Sequence, residues 1–134
     1  MITTVNHRQF SEQFLAALQS GNQAEMAEML HPDFEVDEAN GLPYGGVYRG
    51  FRGWLDLCAA VVGTWGKFKL QLLEYAGESP DTLVIRFAIS GRSRKTGKCF
   101  ESTVMELWKF REGKLFRIHP YYFDTQLLAA ADTP

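Results

Sequence analysis

Glu106 is the residue of this chain whose surroundings most favour acid–base chemistry. It stands between Met105 and Leu107, and alternation along an extended strand places it on one face with Val104 and Trp108. If that face lines a pocket, few charges lie near the carboxyl, and burial raises the pKa of such a group. A carboxyl that stays protonated can donate a hydrogen bond to a developing oxyanion. The alternative is an exposed charge paired across the sheet with a lysine or arginine.

Glu38 is a second candidate carboxyl, at the end of a short acidic strand. A glycine-rich loop follows it, so we expect Glu38 to be more solvated than Glu106 and ionised. Two carboxyls whose pKa values are pushed apart can act as an acid and a base. The alternative for Glu38 is a solvated surface acid beside Asp33, Glu35 and Asp37.

His119 is a third candidate for proton transfer, and its partner depends on strand register. Alternation predicts that His119 faces away from Ile118 and Tyr122. A two-residue loop in the last hairpin would set it opposite Glu106, and a Glu–His pair would follow. With another register, His119 is a surface or interface histidine. The sequence leaves both registers open.

No metal site and no cofactor are predicted. The three histidines are scattered, and Cys58 and Cys99 belong to no close pair, so metal-ligand and disulfide spacings are absent. Free thiols favour a reducing cytoplasm, and the first ten residues lack the apolar segment of a signal peptide. Cys58 has no activating partner in the sequence, which is typical of a small buried side chain.

Length and charge limit the possible functions. The 134 residues, 46% of them hydrophobic, predict a single domain over 1–134. The net charge of −2 is spread without a basic stripe, so nucleic-acid binding is not expected. The basic run at 92–98 is interpreted as a solvated hairpin tip. No apolar run is long enough to span a membrane.

Hydrophobic periodicity predicts the elements that must position these residues. Apolar residues at helical spacing predict three helices, over 6–20, 23–30 and 51–62. Asn6 and Asn22 precede the first two helices and are expected to cap them. Alternation predicts a short strand and then four long ones, over 33–38, 66–77, 81–91, 98–111 and 114–124. Helices followed by short-connected strands predict an α+β fold with helices packed on an antiparallel meander.

The last two strands carry apolar residues on both faces. On one strand Met105 and Leu107 face away from Trp108, and on the next Tyr121 and Phe123 face away from Tyr122. One face packs against the helices, and the other needs a cover. We therefore expect a homodimer through the sheet.

Three segments carry a family resemblance: LHPDFEVDEANG, GGVYRGFRGW and VMELWKFREGKLFRIHPYYFDT. They resemble the SnoaL-like and ketosteroid-isomerase-like branch of the nuclear-transport-factor-2-like superfamily, and the resemblance covers nearly the whole chain. It implies a cone-shaped, cystatin-like curved antiparallel sheet with three N-terminal helices enclosing a pocket, usually in a dimer. It specifies activity less well, because this fold hosts enzymes and binding proteins alike.

The resemblance to the isomerases also implies residue roles. It sets a proton-abstracting carboxylate at Glu38 and a hydrogen-bond-donating carboxyl at Glu106. A tyrosine on the first helix supplies the isomerases' other oxyanion donor, and the matching residue here is Phe14. Phenylalanine cannot donate a hydrogen bond, so genuine steroid isomerisation is not expected.

The expected ligand is a small apolar molecule. Two functions fit it: isomerase- or cyclase-type proton transfer on a small carbonyl compound, or non-catalytic binding of a hydrophobic metabolite. Besides the two carboxyls, the residues expected to contact the ligand are Phe14, Tyr44, Tyr48, Trp54, Cys58, Phe87, Trp108, Ile118 and Tyr122.

Overall fold

A computed structural model describes residues 6–134. The first five residues, part of the segment in which no signal peptide was expected, lie outside the described residues. Over the described range the chain forms four α-helices and six β-strands. In chain order these are α1 (His7–Ser20), α2 (Gln23–Met29), β1 (Leu30–Glu38), β2 (Gly46–Arg49), α3 (Gly50–Thr64), β3 (Trp65–Ser79), β4 (Thr82–Ser93), β5 (Cys99–Arg111), β6 (Lys114–Tyr122) and α4 (Thr125–Ala131).

The six described strands form one sheet in the order β2-β1-β6-β5-β4-β3. Strands β3 to β6 pair as an antiparallel meander, as short connections predict. β1 pairs with β6 in parallel, and β2 pairs with β1 in an antiparallel sense. The α+β class and the curved sheet are therefore confirmed, and the parallel pairing brings Glu38 to the strand that carries Tyr122.

The predicted helix caps are confirmed. The side chain of Asn6 accepts a hydrogen bond from the Gln9 amide over 3.0 Å, and Asn22 accepts one from the Glu25 amide over 3.2 Å. Gly21 ends α1 at φ 71°, the left-handed conformation that glycine adopts without steric cost. These local signals position the face of α1 that carries Phe14.

Two short elements were not predicted. The segment expected to be a continuous loop before α3 contains the strand β2, and a further helix, α4, follows β6. Asp124 caps α4 by accepting a hydrogen bond from the Leu127 amide over 3.1 Å. Both elements are short, so their periodicity carries little signal.

Irregular pairing gives the sheet its curvature. The β3–β4 ladder contains three register shifts, and each such bulge bends the strand and increases its twist. The inner face buries Leu83, Ile85 and Phe87 of β4. Phe14 of α1 completes this core beside Trp54 of α3, with 5.3 Å between ring centroids.

The β5–β6 hairpin settles the register that the sequence left open. Arg111 pairs with Lys114, so Glu112 and Gly113 form a two-residue turn, at φ 54° and 76°. Such a turn alone would set Glu106 opposite His119. Phe116 is an extra residue on β6 that shifts the pairing by one, and Glu106 therefore lies opposite Pro120.

No helix within residues 6–134 is long and apolar enough to cross a membrane.

Candidate active site

The inner face of the sheet, α1 and α3 enclose a cavity of about 800 Å³. Its walls are aliphatic and aromatic. The ring centroid of Phe14 lies 5.3 Å from that of Trp54 and 5.7 Å from that of Trp108. The lining residues Gln19, Val62 and Lys69 are exposed and mark the opening, between α1, α3 and β3. The cavity therefore joins an apolar interior to a partly polar mouth.

Glu38 is a buried carboxyl in this cavity, with 4% of its surface exposed. The hydroxyl of Tyr122 lies 3.0 Å from each carboxyl oxygen and donates its hydrogen bond to Glu38. Burial is the main cause that raises the pKa of Glu38 to about 8, and the nearby Glu106 raises it further. The Tyr122 hydrogen bond acts in the opposite direction, because it stabilises the charged form.

Glu106 is the second carboxyl of the cavity, on β5. Its side chain is half-buried and lines the cavity. The indole nitrogen Nε1 of Trp108 donates a hydrogen bond to Glu106 Oε1 over 3.0 Å. Burial raises the pKa of Glu106 to about 7, and the Trp108 hydrogen bond limits that increase.

The structure corrects the expected solvation of Glu38. Glu38 was predicted to be solvated and ionised, but Leu42 and Tyr44 of the following loop are buried against this end of the strand. Burial therefore raises the pKa of both carboxyls, to about 8 for Glu38 and to about 7 for Glu106. Around neutral pH the pair holds about one proton, so one group can accept a proton while the other donates one.

Tyr44 brings a third polar group to the same end of the cavity. Its hydroxyl accepts a hydrogen bond from Trp65 Nε1 over 2.8 Å. Burial raises the pKa of Tyr44 to about 12, and the neighbouring Glu38 contributes to the increase. Tyr122 is close to the same groups, and burial together with Glu38 raises its pKa as well.

Three residues expected at the site do not line the cavity. The Glu106–His119 pair is not formed, because the shifted register points His119 to the outer face, where its ring stacks on Tyr121 with 4.6 Å between centroids. Phe87 is completely buried in the core. Tyr48 lies on β2 and donates its hydroxyl hydrogen to the Tyr44 carbonyl over 2.8 Å.

The other expected contact residues do border the cavity: Phe14, Tyr44, Trp54, Cys58, Trp108, Ile118 and Tyr122. Burial raises the pKa of the Cys58 thiol to about 11, so this thiol is a poor nucleophile at neutral pH. Within residues 6–134, no three His, Cys, Asp or Glu side chains cluster as metal ligands would.

Sequence reasoning missed the hydrogen bonds that hold the polar groups. Tyr122 and Glu38 meet through the parallel pairing of β1 with β6, which short connections do not predict. Trp65 was not predicted to contribute to the site, although its Nε1 donates a hydrogen bond to Tyr44. The sequence did indicate that Trp108 and Glu106 lie close together, since residues two apart on a strand share a face.

Comparison with known proteins supports the fold and the family. The SnoaL-like domain family matches residues 11–118. An NTF2-like protein from Burkholderia thailandensis E264 is 28% identical, with a TM-score of 0.84 and complete coverage of both chains. TerC, co-crystallised with polyporic acid, is 22% identical, with a TM-score of 0.72 over 92% of this chain and 98% of TerC.

A protein named a SnoaL-like polyketide cyclase, from Jannaschia sp. CCS1, is 11% identical, with a TM-score of 0.76 over 100% of this chain and 98% of that chain. At this identity, and at that of TerC, the similarity establishes a shared fold alone. A search of curated proteins found no match to the chain.

Proposed function

Because the chain belongs to the SnoaL-like domain family, we propose that its cavity transfers a proton on a small apolar carbonyl compound, in isomerase- or cyclase-type chemistry. One observation carries the proposal: a buried carboxyl and a half-buried one, with pKa values raised by desolvation to about 8 and about 7, share a single apolar cavity. Desolvating two carboxyls is unfavourable in a purely structural core. Perturbed pKa values of this kind cluster at functional sites.

We assign the base to Glu106 and the hydrogen-bond donor to Glu38, because burial and the nearby Glu106 both raise the pKa of Glu38. The Glu106 carboxylate removes a proton from the carbon next to the carbonyl. The electron pair moves into the C–C bond and the carbonyl oxygen becomes an enolate oxygen, which the protonated Glu38 stabilises by donating a hydrogen bond. Return of the proton from Glu106 to a different carbon completes an isomerisation. Exchange of that proton with solvent before its return to the same carbon gives hydrogen exchange, and neither outcome consumes an oxidant or reductant.

Exchange of hydrogen for deuterium next to a ketone tests this proposal. 2-Tetralone, an apolar bicyclic ketone, is incubated in D₂O with the protein, and deuterium uptake is followed by NMR. We expect Glu106→Gln and Glu38→Gln each to lower the protein-dependent rate by about 10²- to 10⁴-fold, the usual contribution of a positioned acid or base. Glu101→Gln removes an exposed carboxyl of β5 and should leave the rate unchanged.

The pH profile of this exchange gives an independent readout. The active form holds one proton between the two carboxyls, so the rate should be greatest between about pH 7 and about pH 8 and fall on both sides. Wild-type rates in both carboxyl variants, or a profile that rises steadily with pH as for hydroxide catalysis, would contradict the proposal.

Non-catalytic binding of a hydrophobic metabolite is the second candidate. The observation in its favour is the cavity itself, whose walls are mostly apolar and large enough for a small organic molecule. Binding of 2-tetralone, seen as a rise in melting temperature, without protein-dependent exchange would favour this candidate over the enzyme.

We also propose that two copies of the chain pair through the outer face of the sheet. This face exposes Met105, Tyr121 and Phe123, with 38%, 56% and 84% of their surfaces accessible. Apolar side chains grouped on one face of a sheet favour a partner surface, and a two-fold dimer covers the same patch on both copies.

A further inference from the structure

A hydrogen bond from a core residue holds the hydroxyl group of Tyr44 in place. Its side chain lines the cavity and is 6% exposed, and Trp65 Nε1 donates a hydrogen bond to its oxygen over 2.8 Å. Trp65 is itself buried and packs against Phe100, with 4.6 Å between ring centroids. The phenol oxygen of Tyr44 is therefore fixed by a rigid core residue.

In this hydrogen bond the Tyr44 hydroxyl accepts, so its own proton is not donated to Trp65. An indole N–H only donates, so the Tyr44 oxygen is the acceptor and its own proton must find another partner. Within residues 6–134, no side chain or carbonyl accepts it. Glu38 is nearby, but Tyr122 supplies the hydrogen bond to that carboxyl. The Tyr44 proton is thus available to an oxygen atom of a bound ligand.

The surroundings also make Tyr44 a good donor. A hydroxyl that accepts one hydrogen bond is polarised and donates another more strongly. Burial raises the pKa of Tyr44 to about 12, so the proton stays on the oxygen at any pH at which the carboxyl pair is active. In a cavity with mostly apolar walls, such a donor meets little competition from water.

We propose that Tyr44 donates a hydrogen bond to the substrate oxygen and thereby supplies the second oxyanion donor that Phe14 cannot supply. The donor comes from the loop before β2 instead of from α1, and it lies beside Glu38. This inference rests on the proposed function, because it takes the carbonyl oxygen as the group that Tyr44 meets. It restricts the substrate class to apolar compounds with an oxygen that reaches the Glu38 end of the cavity.

Binding of 2-naphthol tests the donor without requiring catalysis. This probe has an apolar body and one hydroxyl, and its fluorescence reports binding; naphthalene is the matched probe without oxygen. We expect Tyr44→Phe to weaken 2-naphthol binding by about 2- to 10-fold, the effect of one lost hydrogen bond. Naphthalene binding should be unchanged, which also shows that the variant is folded.

Tyr75→Phe is the matched control variant. It removes a hydroxyl that bonds Ser11 outside the cavity lining, and both probes should bind it as they bind the wild type. If Tyr44→Phe does not fold, Trp65→Phe replaces it, because that change leaves the Tyr44 hydroxyl but removes the N–H that holds it. We expect a smaller, roughly 2- to 5-fold, loss of 2-naphthol affinity in this variant.

Three results would overturn the inference: equal 2-naphthol affinity in the wild type and the Tyr44 variant, an equal loss for both probes, or no binding of 2-naphthol by the wild type at millimolar concentration. The inference and the proposed function can fail separately. Deuterium exchange that needs Glu38 and Glu106, together with unchanged naphthol binding in Tyr44→Phe, rejects only the Tyr44 role. Tyr44-dependent naphthol binding without exchange rejects only the catalysis.

Discussion

Glu38 ends its strand beside a glycine-rich loop, yet 4% of its surface is exposed. The loop folds back and buries Leu42 and Tyr44 next to it, and Glu106 comes close through the sheet. Both effects disfavour a charge, so the pKa rises to about 8. The protonation state of this residue is therefore a property of its tertiary neighbours.

The stability of the protein should depend on pH through Glu38. The ordinary pKa of the carboxyl is 4.5 and the folded value is about 8, so the folded state holds the proton more tightly than the unfolded state. The contribution of this carboxyl to the free energy of unfolding is fully present below about pH 4.5 and is lost as the pH rises through about 8. Since Glu38→Gln cannot ionise, we expect a shallower decline in its free energy of unfolding, by a few kcal/mol over this range.

Urea unfolding at a series of pH values measures this decline, and Glu101→Gln serves as the control with the wild-type slope. The same pH dependence in the wild type and in Glu38→Gln would show that the carboxyl is not desolvated as described.

At the scale of the elements, the β5–β6 hairpin decides which side chains meet. Its turn residues Glu112 and Gly113 adopt positive φ angles, and this handedness matches the twist of the flanking strands. Phe116 then adds one residue to β6 and shifts the pairing. The shift sets Pro120 opposite Glu106 and removes His119 from its reach.

Replacing a glycine by alanine should have opposite effects on the free energy of unfolding in the β5–β6 turn and in the helix α3. Gly113 has φ 76°, so Gly113→Ala should lower the free energy of unfolding by about 1–2 kcal/mol. Gly63 lies in α3, and a Cβ there would meet no atom within 4 Å. Gly63→Ala should instead raise it, by about 0.5–1 kcal/mol. Chemical denaturation measures both, and changes of the same sign would contradict this account of the turn.

At the scale of the whole molecule, the two faces of the sheet have different surroundings. The inner face, α1 and α3 form the cavity, and the parallel pairing of β1 with β6 brings Glu38 to Tyr122. The outer face carries Met105, Tyr121 and Phe123 in solvent. The proposed dimer assigns that outer face to a second copy of the chain.

A charge on the outer face should separate the copies. We expect the wild type to sediment as a dimer at micromolar concentration and Tyr121→Glu as a monomer, because the dimer would bury an unpaired carboxylate. Val62→Glu adds the same charge to another exposed apolar position, on α3 at the opposite side of the sheet, and should remain dimeric. A monomeric wild type, or a dimeric Tyr121 variant, would reject this interface.

The fold and part of the site were predictable because their signals are local. The caps at Asn6 and Asn22, the αL glycine at Gly21 and the alternation of β3 to β6 depend on neighbours a few residues away. The same alternation indicated that Glu106 shares a face with Trp108. The short elements β2 and α4 were missed, since a few residues show no clear period.

The sequence by itself determined the α+β class, the order of the long elements and the strand face that Glu106 shares with Trp108. The tertiary structure decided the hairpin register through Phe116, the burial of Glu38 and its bond to Tyr122, and the bond from Trp65 to Tyr44. Helix caps and alternation act over one or two turns of chain. Register, desolvation and the direction of a hydroxyl proton depend on atoms supplied by distant segments, which only the folded chain brings together.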